Sequence, residues 1–231
     1  MDTQQLSGQP EPSRGALRWF LASAILATAG VAALAIDRDV ARWCLDGKIP
    51  GDLKKIFDFS EAFGHGIGIT LILITMFILD PAHRRRFPRI ITCLLTAGLG
   101  ANLLKLSVAR YRPKAFAETF GLDHSIFASF DSLFPFGSGG HALQGFPSAH
   151  TAGAVALACC LSWVYPRGRW WFCILAALVA LQRITSGAHF VSDTCFGAAL
   201  GLFLSLFILK LGPIARAFTR FEQNRPGATK N

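Results

Sequence analysis

The chain has 231 residues, 52% of them hydrophobic and only 16% charged, with a mean hydropathy of +0.41. Those values exclude an ordinary soluble domain and are those of a single membrane domain. The formal charge of +9 has no soluble basic module to carry it, which argues against a nucleic-acid partner and for topology and lipid headgroups as its cause.

In chain order, residues 1–16, rich in Gln, Ser, Gly and Pro, read as a disordered cytoplasmic N-terminus, and residues 222–231 as a disordered C-terminus. Between them, 17–221 form the expected membrane domain. Six apolar runs, 19–36, 66–79, 90–104, 151–165, 170–182 and 194–209, predict an all-α, polytopic bundle of six transmembrane helices. Several runs are shorter than the roughly 20 residues that cross a hydrocarbon core. Such a run still spans when charges carry its helix into the headgroup layer, where Lys105 and Lys210 stand. The first run, 18 uncharged residues behind Arg18, is too long for a signal-peptide core of about 7–15 and is kept as a span.

With six spans, both termini share one side with the second-to-third and fourth-to-fifth connections. Those connections hold the densest basic clusters, His83-Arg84-Arg85-Arg86-Phe87-Pro88-Arg89 and Arg167 with Arg169, so this side is expected to be cytoplasmic. The opposite side is then periplasmic or extracellular. The six cysteines show no metal-ligand or redox spacing and read as structural thiols.

Three polar clusters interrupt the apolar pattern, all at span ends on the outward side. Lys105 to Pro113 closes the third span, Phe146-Pro147-Ser148-Ala149-His150 opens the fourth, and Arg183 to Asp193 joins the fifth to the sixth. Snorkelling explains a lone Lys or Arg at such a place, but the short side chains of His150, His189 and Asp193 do not anchor helices that way. Phosphoryl transfer suits the set. Lys105, Arg112 and Arg183 supply cations for phosphate oxygens, arginine with paired planar donors. Pro147 suits a first helical turn, so free amides and the Ser148 hydroxyl are expected to face the same anion. The four-residue step from His189 to Asp193 puts a carboxylate behind an imidazole, which fixes the tautomer of a nucleophile; His150 is then the acid for the leaving oxygen and the base for water.

Lys105-x6-Arg112-Pro113, Pro147-Ser148-Ala149-His150 and Arg183-x5-His189-x3-Asp193 resemble, in order and spacing, the three motifs of the phosphatidic acid phosphatase type 2 superfamily. The resemblance implies a six-span membrane phosphatase without a metal or other cofactor, acting on lipid phosphates or diphosphates through a phosphohistidine. By position it gives phosphate binding to Lys105, Arg112, Ser148, the Ala149 amide and Arg183, the acid role to His150, the nucleophile to His189 and its orientation to Asp193. Two positions depart from the usual pattern: Ala149 stands where Gly is common, and Gln182 where Ser precedes the Arg. Both leave every reactive group in place.

Between Pro113 and Phe146 lie 32 residues with six Phe, read either as an interfacial helix or lid or as packing over the helix ends. His124 and His141 in it read as polar surface residues. Glu61 and His65, at the start of the second span, fall on the outward side as candidate substrate contacts. A lipid-to-lipid phosphotransferase would use the same residues, and a transporter or scaffold would use the charges structurally. An outward site fits undecaprenyl diphosphate, phosphatidylglycerol phosphate, phosphatidic acid or a lipid A phosphate as the partner lipid; oligomeric state is not legible.

Overall fold

A computed structural model describes residues 14–136 and 140–224. The expectations for 1–13 and 225–231 lie outside the described residues. Among the described residues ten α-helices run α1 Arg14–Ala33, α2 Asp37–Leu45, α3 Gly51–Ser60, α4 Gly66–Leu79, α5 Phe87–Ser107, α6 Pro113–Phe120, α7 Ala149–Val164, α8 Arg169–Thr185, α9 Val191–Leu209 and α10 Gly212–Gln223. A two-stranded antiparallel ribbon pairs β1 Val108–Arg110 with β2 Phe130–Leu133.

All six apolar runs are helical, as α1, α4, α5, α7, α8 and α9, and most outrun their apolar stretch at polar ends. Gly15–Ala33, Pro81–Ser107 and Val191–Leu209 are long and apolar enough to cross a membrane, and α3 with α4 forms a pair bent by 65° that makes a fourth candidate. Large apolar side chains such as Ile25, Leu79, Leu99 and Trp170 stand on the outside of the bundle, an arrangement that lipid tails accommodate and water does not.

The helical ends reach further than composition suggests. α1 takes in residues 14–16, because Ala16 is buried, and α10 takes in Glu222 and Gln223. At that end Arg89 is buried on α5 and draws its partners from α10: it donates to the Ala215 carbonyl at 2.9 Å and to Thr219 Oγ1 at 2.7 Å, and lies 3.1 Å from Glu222 Oε1. A buried guanidinium needs such partners, and this need folds the tail back onto the bundle.

Helices α7 and α9 form the centre, with α1, α5 and α8 packed around them. The buried face of α7 is short-chained, with Ala152, Ala154, Ala156 and Ala158. On α9, a Cβ at Gly197 would stand 2.4 Å from the Ser148 carbonyl oxygen, and one at Gly201 2.4 Å from that of Ala152. Glycines four apart therefore let the two backbones touch, as in membrane helix pairs. The close approach also fixes the helix N-termini side by side, and the Ser148 amide donates to the Asp193 carbonyl at 3.0 Å.

The long connection after Pro113 is structured. It contributes α6 and then β2, whose pairing with the short β1 no periodicity announced. Its aromatics are of two kinds: Phe116 is fully buried against Phe120 and Phe190, while Phe127, Phe134 and Phe136 are exposed.

A cationic cavity at the converging helix ends

The ends of α5, α7 and α8 and the turn before α9 enclose a cavity of about 500 Å³. Lys105 and Asn102 reach it from α5, Ala149 and His150 from the first turn of α7, Arg183 from the last turn of α8, and His189 and Arg112 from the connections. Of the residues expected from sequence to meet here, Lys105, Arg112, Ala149, His150, Arg183 and His189 do so. Ser148 and Asp193 lie behind the wall, fully buried.

The spacing from Arg183 to His189 has a backbone cause. The amides of Ala188 and His189 both donate to the Arg183 carbonyl, at 3.2 and 3.0 Å, and Gly187 takes the positive φ of +69° that the reversal requires. A closed turn of this kind aims the guanidinium and the imidazole into one space. On the other wall, Pro113 opens α6 at a position where a missing N–H costs nothing, which leaves Arg112 on extended backbone just before the helix.

His189 is almost wholly buried. Its Nδ1 stands 2.6 Å from the Gly145 carbonyl oxygen, and 3.8 Å from Asp193 Oδ2. A carbonyl only accepts, so Nδ1 carries the proton and the Nε2 lone pair is free. This corrects the sequence reading in one detail: the carboxylate four residues on acts on the ring through its charge, and a backbone carbonyl 44 residues away in sequence holds the tautomer. Gly145 is where it is because its amide donates to the Arg110 carbonyl at 2.8 Å and a Cβ there would meet that oxygen at 2.6 Å. Burial lowers the His189 pKa, Asp193 opposes that, and Lys105 and Arg112 reinforce it, so the ring is neutral at physiological pH.

The cations are differently occupied. Lys105 Nζ donates to the Gln144 carbonyl at 2.8 Å. Arg183 donates through Nε to Gln182 Oε1 at 2.6 Å and pairs with Glu61 Oε1 at 2.9 Å. Arg112 has a buried Nε without a hydrogen-bond partner, and burial beside Arg183 lowers its pKa. An unsatisfied buried donor is costly, and an entering oxyanion would remove that cost.

Glu61 and His65, expected as substrate contacts, are near but engaged. Glu61 Oε1 lies 3.8 Å from His150 Nε2 and holds Arg183. His65 caps α4 by accepting from the Ile67 amide at 3.3 Å, and its ring centroid is 5.5 Å from that of His150. Ser148 also works as a cap: its hydroxyl accepts from the Thr151 hydroxyl at 3.0 Å. Ser148 itself is not among the residues that line the cavity. His141, read as a surface residue, is exposed but also lines the cavity rim.

Sequence reasoning missed Arg110, Asp37, Gln144 and Gly145. Arg110 is fully buried; Nε donates to Ser129 Oγ at 3.1 Å, one terminal nitrogen to Ser192 Oγ at 2.7 Å and to Asp193 Oδ1, and the other to Asp37 Oδ2 at 2.9 Å. The only signal was a second Arg two residues before Arg112.

A second hollow, of about 740 Å³, runs from Asn102, Ala149 and His150 along α4 and α5, past Ile69, Leu73, Ile91 and Leu95. It shares those first three residues with the cationic cavity. The walls are almost entirely apolar.

Fold and site together define a helical membrane protein with a cationic, histidine-bearing cavity beside an apolar groove. The chain belongs to the PAP2 superfamily, whose family model matches residues 88–216, and is with it a membrane phosphatase. It is 35% identical over 173 residues to a lipid A 1-phosphatase of Rhizobium etli, covering 68% of this chain and 70% of that one. A lipid A 1-phosphatase of Rhizobium johnstonii is 36% identical over 110 residues, 48% of this chain and 41% of the relative. Among solved structures, Aquifex aeolicus LpxE shares the fold with a TM-score of 0.55 at 22% identity, over 76% of this chain and 96% of that one. The first transmembrane PAP2-type phosphatidylglycerolphosphate phosphatase from Bacillus subtilis does so with a TM-score of 0.52 at 20% identity, over 91% and 98%.

Proposed function

We propose that this chain hydrolyses a phosphate monoester or diphosphate of a bacterial envelope lipid, through a phosphohistidine on His189. The observation that carries the reading is the adjacency of two spaces: a cavity with three cations and a neutral imidazole shares Asn102, Ala149 and His150 with an apolar groove. A phosphorylated lipid matches both, with its phosphate among Lys105, Arg112 and Arg183 and its chains against α4 and α5.

In the first step His189 Nε2 attacks phosphorus, the bond from phosphorus to the lipid oxygen breaks, and His150, which takes up a proton from solvent when the phosphate anion binds and has Glu61 3.8 Å away, gives that proton to the oxygen. Positive charge growing on His189 faces the Gly145 carbonyl and the Asp193 carboxylate. In the second step water attacks phosphorus and gives its proton to His150; the N–P bond breaks and inorganic phosphate leaves. None of these steps requires a metal or other cofactor. The reading includes six spans, α1, α4, α5, α7, α8 and α9, within a domain over 17–221, in an inner membrane with cytoplasmic termini and an outward site. Support for that orientation comes from the end opposite the cavity, where Lys210 lies over the Trp19 ring at 4.3 Å and Arg86 over the Trp163 ring at 4.8 Å. Trp marks either membrane boundary, and the accompanying Lys and Arg favour the cytoplasmic one.

Among the candidate lipids, the identity to two lipid A 1-phosphatases puts a glycosyl 1-phosphate of lipid A first. The test is phosphate release by protein in detergent from lipid A, undecaprenyl diphosphate, phosphatidylglycerol phosphate and phosphatidic acid, with and without an acceptor lipid. Release from lipid A without acceptor is expected. Turnover only with an acceptor would make the protein a phosphotransferase, and turnover of none would leave the charges to a transporter or scaffold.

A further inference from the structure

Arg110 sits two residues from Arg112 but has no access to the cavity. Each of its three nitrogens is hydrogen-bonded, to Ser129, Ser192, Asp193 and Asp37 between them, and the guanidinium carbon lies over the Phe130 and Phe190 rings at 4.4 and 4.6 Å. Ser192 closes the group from the other side: its amide donates to Asp37 Oδ1 at 3.0 Å and its hydroxyl to Asp37 Oδ2. The carboxylate behind His189 thus spends one oxygen on Arg110, and the other accepts from the Phe190 amide at 2.8 Å. Neither oxygen is within hydrogen-bonding distance of the imidazole.

We propose that Arg110, anchored by Asp37, is a positioning residue that neutralises Asp193 and so keeps His189 an unprotonated nucleophile held by the Gly145 carbonyl. The inference rests on the assignment of His189 as nucleophile. Left alone, a carboxylate 3.8 Å from a buried imidazole would draw a proton onto it and silence the Nε2 lone pair. The guanidinium takes that charge up, yet leaves enough of it nearby to meet the cation that forms with the N–P bond. Other charges facing His189 come from Lys105 on α5, Arg112 before α6, His150 on α7 and Arg183 on α8, with His141 on the rim and Glu61 beyond Arg183. All the cations among them disfavour a charged ring, so Asp193 is the group whose effect Arg110 must limit.

The experiment is the pH profile of kcat/KM for Arg110→Gln and Arg110→Lys in the full chain, on whichever lipid phosphate the wild type hydrolyses. Loss of the counter-charge in Arg110→Gln moves the acid limb up by about one pH unit; Arg110→Lys, which keeps a charge but reaches only one carboxylate, moves it up by less. The position of the limb is independent of the fraction folded, so a poorly folding variant still reports it. Should Arg110→Gln be inactive, Arg110→Lys decides alone. A limb that coincides with the wild type while the amplitude falls would overturn the proposal and leave Arg110 a purely structural residue. Acid-stable retention of labelled phosphate by His189→Ala would instead refute the nucleophile assignment, without reference to Arg110.

Discussion

Arg110 and Arg112 are two residues apart on one stretch of extended chain, and they live opposite lives. The first has every nitrogen hydrogen-bonded to protein, lies over two aromatic rings and meets no solvent. The second faces the cavity with its Nε unpartnered. Identical side chains differ in function because β1 turns one toward the α2 and α9 ends while the Pro113 start of α6 turns the other to the open space. A guanidinium already paired holds a site together; one left unpaired is available to a ligand.

The comparison can be broken first at the chemistry between the two arginines. Replacing His189 by Ala removes the attacking nitrogen and is expected to lower kcat by roughly 10⁴-fold or more, measured as phosphate release. Next comes Arg112→Ala, which removes a donor to the transferring phosphoryl group and should lower kcat/KM by about 10²–10³-fold with thermal stability nearly unchanged. Asp37→Ala reverses that pattern. It leaves Arg110 short of a partner in a buried group and should destabilise the fold by about 3–5 kcal/mol, read as a lowered melting temperature, while KM moves little. The smallest effect is expected from Glu61→Gln: freeing Arg183 from a partly exposed carboxylate should lower KM a few-fold. As to pH, the lowered His189 pKa means that the neutral ring persists as acid is added, so the acid limb of kcat/KM falls below the ordinary imidazole value of about 6.5.

Hydrophobic runs and charge placement made the helices legible, because an apolar segment between charges has few other folds open to it. Motif spacing likewise pointed to Lys105, Arg112, His150, Arg183 and His189 as a group, since each sits at or beside an apolar run's end, and the structure brings all five to one cavity. What remained hidden depends on contacts that spacing does not encode. The Gly145 carbonyl acts through backbone, to which the residue type contributes only room. Asp37 reaches Arg110 from 73 positions away, and its sequence neighbourhood reads as an ordinary charged helix start. Ser148 reads from sequence as a phosphate donor, and its second task is set by its place one step before a helix: its hydroxyl oxygen accepts from the Thr151 amide and the Thr151 hydroxyl. Glu61, read as a candidate substrate contact, also pairs with Arg183 at 2.9 Å, a contact that spacing does not announce.

The central claim is that His189 receives the phosphoryl group. Rapid acid quench of protein turning over a ³²P-labelled lipid phosphate tests it most directly. The account requires an acid-labile label on the wild-type chain, none on His189→Ala, and slower loss of the label in His150→Ala, where water lacks its base. Label of equal amount on His189→Ala, or on none of the three while the wild type releases phosphate, would contradict it.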